Sequence, residues 1–348
     1  MTRSDTKGCR ARGGVGGVTR RLSAVMALAL PAGVGLLSPA VVWAQAWKPE
    51  RTVEYVVPAG PGAALDTAAR QLKELIDRQQ TLGTTMVITN KPGGAGMVAM
   101  GGLQAKPGDA HQVVTLTHSS INNKLAGEVS LGYEDFTPLA VLFDEFITVA
   151  VKADSPIRNA RDLVEALKKN PASLSIGVAT SIGNHIHTAI AKPLKAAGVD
   201  IGKLTVVPFK SSAESMNNLL GGHLDIVSAS AINVVPMMKA GRIRVIAVAA
   251  AERLGGDLAE VPTWREQGVD AVYTSSQGLL GAKGLSAAQI AFWEETLRRA
   301  TDTPEWKAFL ARNHWKPRFM GAAETRRYLD AEAATTKVLL GDLGLLKR

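Results

Sequence analysis

Polar and β-branched positions alternate along Thr52–Val57 (Thr-Val-Glu-Tyr-Val-Val), and this period of two predicts a strand. The loop Pro58-Ala59-Gly60-Pro61-Gly62 follows. Leu65, Ala69, Leu72, Leu75 and Ile76 then recur at helical spacing. The alternation repeats. Met86–Thr89 predicts a strand, Asn90–Gly96 a glycine-rich loop, Met97–Leu103 a helix start and Val113–Thr117 a third strand. Strands that alternate with helices argue for an α/β fold with a mostly parallel sheet.

The pattern then restarts. Phe146–Val151, Leu174–Val178, Leu204–Val207, Leu224–Ser228 and Ile243–Ala249 predict strands. Helices are expected between them. Asn159 caps one that carries Asp162 in its first turn, another runs through Ile190 and Leu194, and Ala213–Leu220 ends at Gly221-Gly222. A short helix is expected at Pro236–Ala240. The C-terminal part reads as helical. Ser286-Ala-Ala-Gln289 is a capping box, Thr303-Pro304 an N-cap with proline at the first helical position, and Ala323–Leu340 a final helix or pair. The expected organisation is two α/β lobes, 47–146 with 250–348 and 147–249. The chain would cross between them near Phe146–Val151 and Ile243–Ala249. A cleft between lobes is a favoured place for a small-molecule site.

The N-terminus changes the picture of where the chain works. Residues 1–21 are basic, Leu22–Val42 are almost wholly apolar, and Ala44-Gln45-Ala46 supplies a small-x-small pattern. Together these predict a signal peptide over 1–46, cleaved after Ala46, with cleavage after Ala44 as the alternative. A retained membrane anchor fits less well, because Pro31, Gly33, Gly35 and Pro39 interrupt the apolar run. Thr19-Arg20-Arg21-Leu22 is too short a match to choose between general and twin-arginine export.

Composition narrows the chemistry. Of the net charge of +9, Arg3, Lys7, Arg10, Arg12, Arg20 and Arg21 against Asp5 put five charges in the first 21 residues. The remainder has no basic block and no basic–aromatic interleaving, so nucleic acid is not an expected partner. The single cysteine, Cys9, precedes the apolar run. The body therefore offers no disulfide, thiol nucleophile or cysteine metal ligand. No H-E-x-x-H, G-x-S-x-G or G-x-x-x-x-G-K-[ST] occurs, and neither metal, cofactor nor catalytic residues are expected. Gly94-Ala95-Gly96-Met97-Val98-Ala99 loosely matches a dinucleotide fingerprint. However, the next strand ends Thr115-Leu116-Thr117-His118 without the required acid. A dinucleotide-dependent enzyme using the loop at 93–99 is the alternative reading.

Two loops suit an anion. In Val56–Asp66 small residues leave the backbone bare at a helix start, where N–H groups can face a negative charge. Asp66 would also favour the helix dipole. A plain strand–helix turn is the simpler account of the same residues. Thr180-Ser181-Ile182-Gly183-Asn184-His185 offers hydroxyls and an amide at the corresponding place in the second half. His187 reads as a helix-surface or hinge-facing residue. Trp293, Trp306 and Trp315 read as core.

Five motifs then occur in order: Val57-Pro58 with Pro61-Gly62 and Asp66, Asn90–Gly96, Asp135-Phe136-Thr137-Pro138, Val207-Pro208-Phe209-Lys210, and Leu219–Asp225. From Trp47 onward the chain resembles the Bug-type receptors of tripartite tricarboxylate transporters. The resemblance implies a type II periplasmic-binding-protein fold, a monomer that closes on a small organic carboxylate and serves membrane transporter subunits or a sensor. Carried over by position, it implicates Ala59, Gly60, Gly62, Ala63 and Asp66 from lobe one. Thr180, Ser181, Gly183 and Asn184 would come from lobe two, with Ser119 and Ser228 at neighbouring strand ends. Two departures point to a ligand unlike the relatives'. Ala63 stands where the family commonly has glycine, and Pro107–Leu116 is longer than the family's Pro-Asp-Gly-Tyr-Thr-Leu.

Overall fold

A computed structural model describes residues 47–347, all within one compact unit; the expected signal segment lies outside the described residues. In chain order the elements begin β1 (Val53–Val57), α1 (Ala64–Arg78), β2 (Met86–Asn90), α2 (Met97–Gln104), β3 (Gln112–Leu116) and α3 (Ser119–Leu125). They continue with β4 (Thr137–Glu145), β5 (Ile147–Lys152), α4 (Ala160–Lys169), β6 (Ser175–Ala179), α5 (His185–Ala196), β7 (Thr205–Phe209) and α6 (Ser212–Leu220). Next come β8 (Ile226–Ser230), α7 (Ala231–Lys239), β9 (Ile243–Val248), β10 (Ser275–Gly281), α8 (Ala287–Thr301), α9 (Pro304–Arg312), β11 (Lys316–Gly321) and α10 (Ala322–Asp342).

Two sheets result, β11-β4-β10-β3-β1-β2 and β7-β6-β8-β5-β9. The C-terminal part is therefore not wholly helical, since β10 and β11 return to the first sheet. Polar and glycine-rich Ser275–Gly281 lacks the apolar run that marks a strand. It is admitted because Gly278 lies against β4, where a Cβ would overlap the Ala140 carbonyl, beside a register shift.

Each sheet is sandwiched by helices. The first buries Val53, Val56, Leu72, Ile76, Trp293 and Trp306 in one core. Trp315 is buried there too, and Trp293 donates its indole N–H to the Ala110 carbonyl at 3.0 Å. On β5, Ile147, Val149 and Val151 face a core with α4, α5 and Trp264, while Ala150 faces one with α6 and α7. Leu254, Leu258, Trp264 and Tyr273 also pack on the second sheet.

Register fixes how the sheets meet. The parallel strands β1, β2 and β3 end on one edge of the first sheet. β10 and β4 bring Ser275 and Glu145 to that same edge, where they pair. In the second sheet Ile147 pairs with Ser230, the last residue of β8. Only Phe146 separates Glu145 from Ile147, so the C-terminal edges of the two sheets abut at this crossing. The chain returns beside it, where Tyr273 N–H donates to the Ala249 carbonyl at 2.7 Å before β10 begins. α10 packs on β4 and α3 of the first lobe and on α5 of the second. Among the described residues no helix is long and apolar enough to cross a membrane.

Candidate functional site

Loops at the C-terminal ends of parallel strands, facing a second such edge, are where α/β folds place their ligands. After β1, Gly62 takes φ +78°, a left-handed turn that glycine adopts without strain. Ala63 is the extended N-cap of α1 and supplies no side-chain cap. Asp66 is 1% exposed. One of its oxygens accepts Gly62 N–H at 2.8 Å and Arg70 Nε at 2.9 Å, and the other accepts Asn90 Nδ2 at 2.9 Å. Asn90 Nδ2 also donates to the Ala59 carbonyl at 3.0 Å. Burial alone would raise the Asp66 pKa; bonds from Arg70, Gly62 and Asn90 outweigh it and hold the carboxyl below its ordinary value.

The Asp66 carboxylate is thus committed to the loop. It sets the positions of Ala59, Gly60 and Gly62 rather than pointing outward. The first helical bond is Thr67 N–H to the Ala63 carbonyl, at 2.9 Å. The amides of Ala64, Leu65 and Asp66 precede it, and helix geometry gives them no intrahelical acceptor. The positive end of α1 is open behind a loop of small residues.

The second lobe repeats the device with different residues. Thr180 follows β6 at φ +66°, which is strained for a β-branched side chain. Its N–H donates to the Phe209 carbonyl at 2.7 Å. Asn184 caps α5, with its side-chain oxygen accepting Ile186 and His187 N–H at 3.0 Å each. Its amide nitrogen donates to the Ala179 carbonyl and Thr180 Oγ1 at 2.7 Å each. Asn184, like Asp66, is a loop-holding residue. Gly183 N–H donates to His187 Nδ1 at 3.0 Å, so His187 is buried beneath the loop and not on the helix surface. Gly183 itself faces Ala126, Leu340 and Leu345. Ser228 is buried and donates to the Ile186 carbonyl at 2.9 Å. Thr180, exposed, and Ser181, half-buried, stand at the tip.

Between the loops lies a polar junction that sequence reasoning reached only at Ser119. Ser119 Oγ meets His185 Nδ1 at 2.9 Å across the lobes. Asn122 Nδ2 donates to the Gly183 carbonyl and to Thr188 Oγ1, and Thr188 Oγ1 to Tyr273 OH, each at 3.0 Å. Glu145, at the crossing, accepts from Ser230 and Gln277. His118 is 1% exposed, and neither ring nitrogen has a hydrogen-bond partner. Burial first, then the charges of His185 and Lys192, push its pKa down to about 3. Burial also depresses His185. The signal for Glu145 was Asp144-Glu145 inside the apolar run Val141–Val151.

Elsewhere, the glycine-rich 94–96 turn is fastened to α3, since Asn123 Nδ2 donates to the Ala95 carbonyl at 3.3 Å. Among the described residues no group of three or more His, Cys, Asp or Glu could hold a metal ion.

Two helix-flanked sheets joined edge to edge at their C-terminal ends define a two-lobed binding protein of the periplasmic type. The model of the tripartite tricarboxylate transporter family receptor matches residues 68–345, and this chain belongs to that family. It is similar to the "UPF0065 protein in gbd 5'region" of Cupriavidus necator, 25% identical over 86% of this chain and 89% of the relative. The fold matches an R. palustris protein solved with adipate (TM-score 0.72, 24% identity, 85% of this chain and 98% of that one). It also matches MatC from Rhodopseudomonas palustris with bound malate (TM-score 0.65, 22% identity, 86% and 100%). The family and fold are those of solute-binding receptors, and nothing in the comparisons supports the dinucleotide reading.

Proposed function

We propose that this chain is exported to the periplasm by an N-terminal signal removed near Ala46. There it captures a small organic carboxylate between its lobes and, as a monomer, presents it to transporter subunits. The observation that carries this reading is the open N-terminus of α1, whose amides stand on the edge that abuts the second lobe. Such a terminus is a ready-made anion site. The adipate and malate in proteins of the same fold agree with it.

In this reading Ala59, Gly60, Gly62 and Ala63 line the carboxylate, with Asp66 holding their loop. Thr180 and Ser181 approach from lobe two, and Gly183 and Asn184 shape their loop. Ser119 and Ser228 support the α5 side. The crossings at Phe146 and Tyr273–Ser275 act as the hinge. A charge-assisted hydrogen bond contributes about 1.5–3 kcal/mol, while micromolar affinity needs about 8 kcal/mol, so both lobes must contribute.

The test is a thermal-shift screen of the purified protein against a carboxylate library. A ligand at 100 times its dissociation constant adds about 2.7 kcal/mol of stability. Small-angle scattering should then show a smaller radius of gyration with that ligand. No stabilisation by any carboxylate, or binding without compaction, overturns the reading.

A further inference from the structure

Glu145 is the last residue of β4 and stands one residue from the second lobe. Its carboxylate is gripped from both lobes: Ser230 Oγ donates to one oxygen at 2.6 Å, and Gln277 Nε2 to the other at 3.0 Å. Both donors are neutral, and both residues are buried, at 5% and 3% exposed. Among the described residues no Lys or Arg pairs with Glu145: Arg318 pairs with Asp144 at 3.3 Å, Lys192 lies in the field of Glu332, and Lys316 stands over the Phe146 ring. His185 lies in the field of Glu145, but burial favours its uncharged form.

A second observation points to the same place. Gln277 Oε1 is buried without a hydrogen-bond partner, on the amide whose nitrogen already holds Glu145. A half-buried carboxylate with only neutral partners therefore sits beside an acceptor that lacks a donor. Both deficits are met by one kind of group, a cation with several hydrogens to donate. Glu145 and Ser275 stand at the ends of their strands on the same sheet edge at which β1 leads into α1, and that edge abuts the second lobe.

We propose that Glu145, with Gln277 and Ser230, is the specificity-determining subsite of the cleft, and that it selects carboxylates bearing an ammonium group over dicarboxylates of equal length. The inference rests on the receptor reading above and names its substrate class. A second carboxylate placed here meets the charge of Glu145 with no intervening cation, and like-charge juxtaposition is how sites reject wrong partners.

The experiment is calorimetric titration of the purified protein with matched probes of three to six carbons. These are the 2-amino and terminal-amino monocarboxylates, the terminal-hydroxy acids and the α,ω-dicarboxylates. In the wild type the tightest amino probe should bind at least 10-fold more tightly than the dicarboxylate of equal length, with the hydroxy acid between. Glu145→Gln, which keeps the shape and removes the charge, should weaken the amino probe at least 10-fold and leave the dicarboxylate unchanged or tighter. Ser230→Ala, which frees one Glu145 oxygen but leaves the charge, should weaken the amino probe less than Glu145→Gln does, and an equal loss in both variants would overturn the charge as the selecting feature. Dicarboxylates that bind the wild type as tightly as amino probes would overturn the proposal without any variant, as would an unchanged ranking in Glu145→Gln. If no carboxylate binds at all, the receptor reading fails with it. If carboxylates bind without this ranking, the subsite alone fails.

Discussion

His118 gives the junction between the lobes a dependence on pH that can be worked out in advance. In the unfolded chain its imidazole takes up a proton near 6.5. In the folded protein it does so only at about 3, because burial and the charges of His185 and Lys192 disfavour the cation. Glu332 Oε2, at 3.8 Å on α10, is the acid that faces it, and Tyr273 packs against its ring. Between those values the unfolded state binds the extra proton, so stability falls as pH is lowered below about 6.5. By pH 5 one such histidine removes about 2 kcal/mol. His187, pushed down by burial to about 4, and His185 act in the same direction. Asp144 and Glu332 oppose them, because burial raises both; their charged forms cost stability as pH rises through the raised values. Asp66, whose pKa is depressed, adds stability that is lost only at lower pH, as its folded value is crossed. A comparison with His118→Gln, which retains Asp144 and Glu332, separates the histidine from these opposing acids. Urea titrations from pH 6.5 to 5 should show a falling midpoint in the wild type. In His118→Gln the fall between pH 6.5 and 5 should be smaller by roughly 1–2 kcal/mol. Parallel curves for the two proteins would refute the assignment of His118 as a buried neutral imidazole.

Three further outcomes are expected. Gly62→Val forces a β-branched residue to φ +78° with open space around its Cβ, so the cost is backbone strain of about 1–3 kcal/mol; calorimetry should show carboxylate binding lost while the fold persists. Asn184→Ala removes the α5 cap and should lower stability by about 0.5–2 kcal/mol by urea titration, with a further loss of affinity as Thr180 is released. Intact-mass analysis of the exported protein should find an N-terminus at or near Trp47; retention of residues 1–21 would refute the signal-peptide reading.

The elements that were legible in the sequence are those whose cause is local. Asn159 caps α4 through Asp162 N–H, Ser286 and Gln289 close their capping box, and Thr303 accepts Trp306 N–H ahead of Pro304 in α9. The glycine-bearing loop before α1 was legible for the same reason. What escaped was set by partners far away in the chain. β11 reads Lys-Pro-Arg-Phe-Met-Gly, with nothing strand-like about it, yet it finds an edge beside β4. α3 reads Ser-Ser-Ile-Asn-Asn-Lys-Leu. Its asparagines are buried because Gly183, Thr188 and Ala95 supply their partners. His185 and His187 are two residues apart with different fates, one facing Ser119 across the lobes and one folded under its own loop. No local pattern separates them.

The polar side chains of the two candidate loops divide their labour in a way that bears on how the cleft works. Asp66 and Asn184 look like ligand-binding residues in a list, but their hydrogen bonds are spent inside their own loops. Each therefore acts before any ligand arrives, by holding a strand end and a helix start in one geometry. Amides held in place lose little freedom on binding, and preorganisation raises affinity by lowering that cost. The two helix ends differ in one respect. α1 begins at Ala63, which cannot cap, whereas Asn184 occupies the amides of Ile186 and His187 at the start of α5. An incoming anion thus finds a helix terminus without a side-chain cap in lobe one and a self-capped one in lobe two. The lobes should then engage in order, with the carboxylate seated first on α1 and the Thr180–Ser181 tip closing over it. Removing the lobe-two hydroxyls with Thr180→Ala and Ser181→Ala should accordingly raise the dissociation rate in stopped-flow or surface-binding measurements and leave the association rate nearly unchanged. Substitutions in the 59–63 loop should slow association instead, and an equal effect on both rates from either loop would refute the ordered scheme.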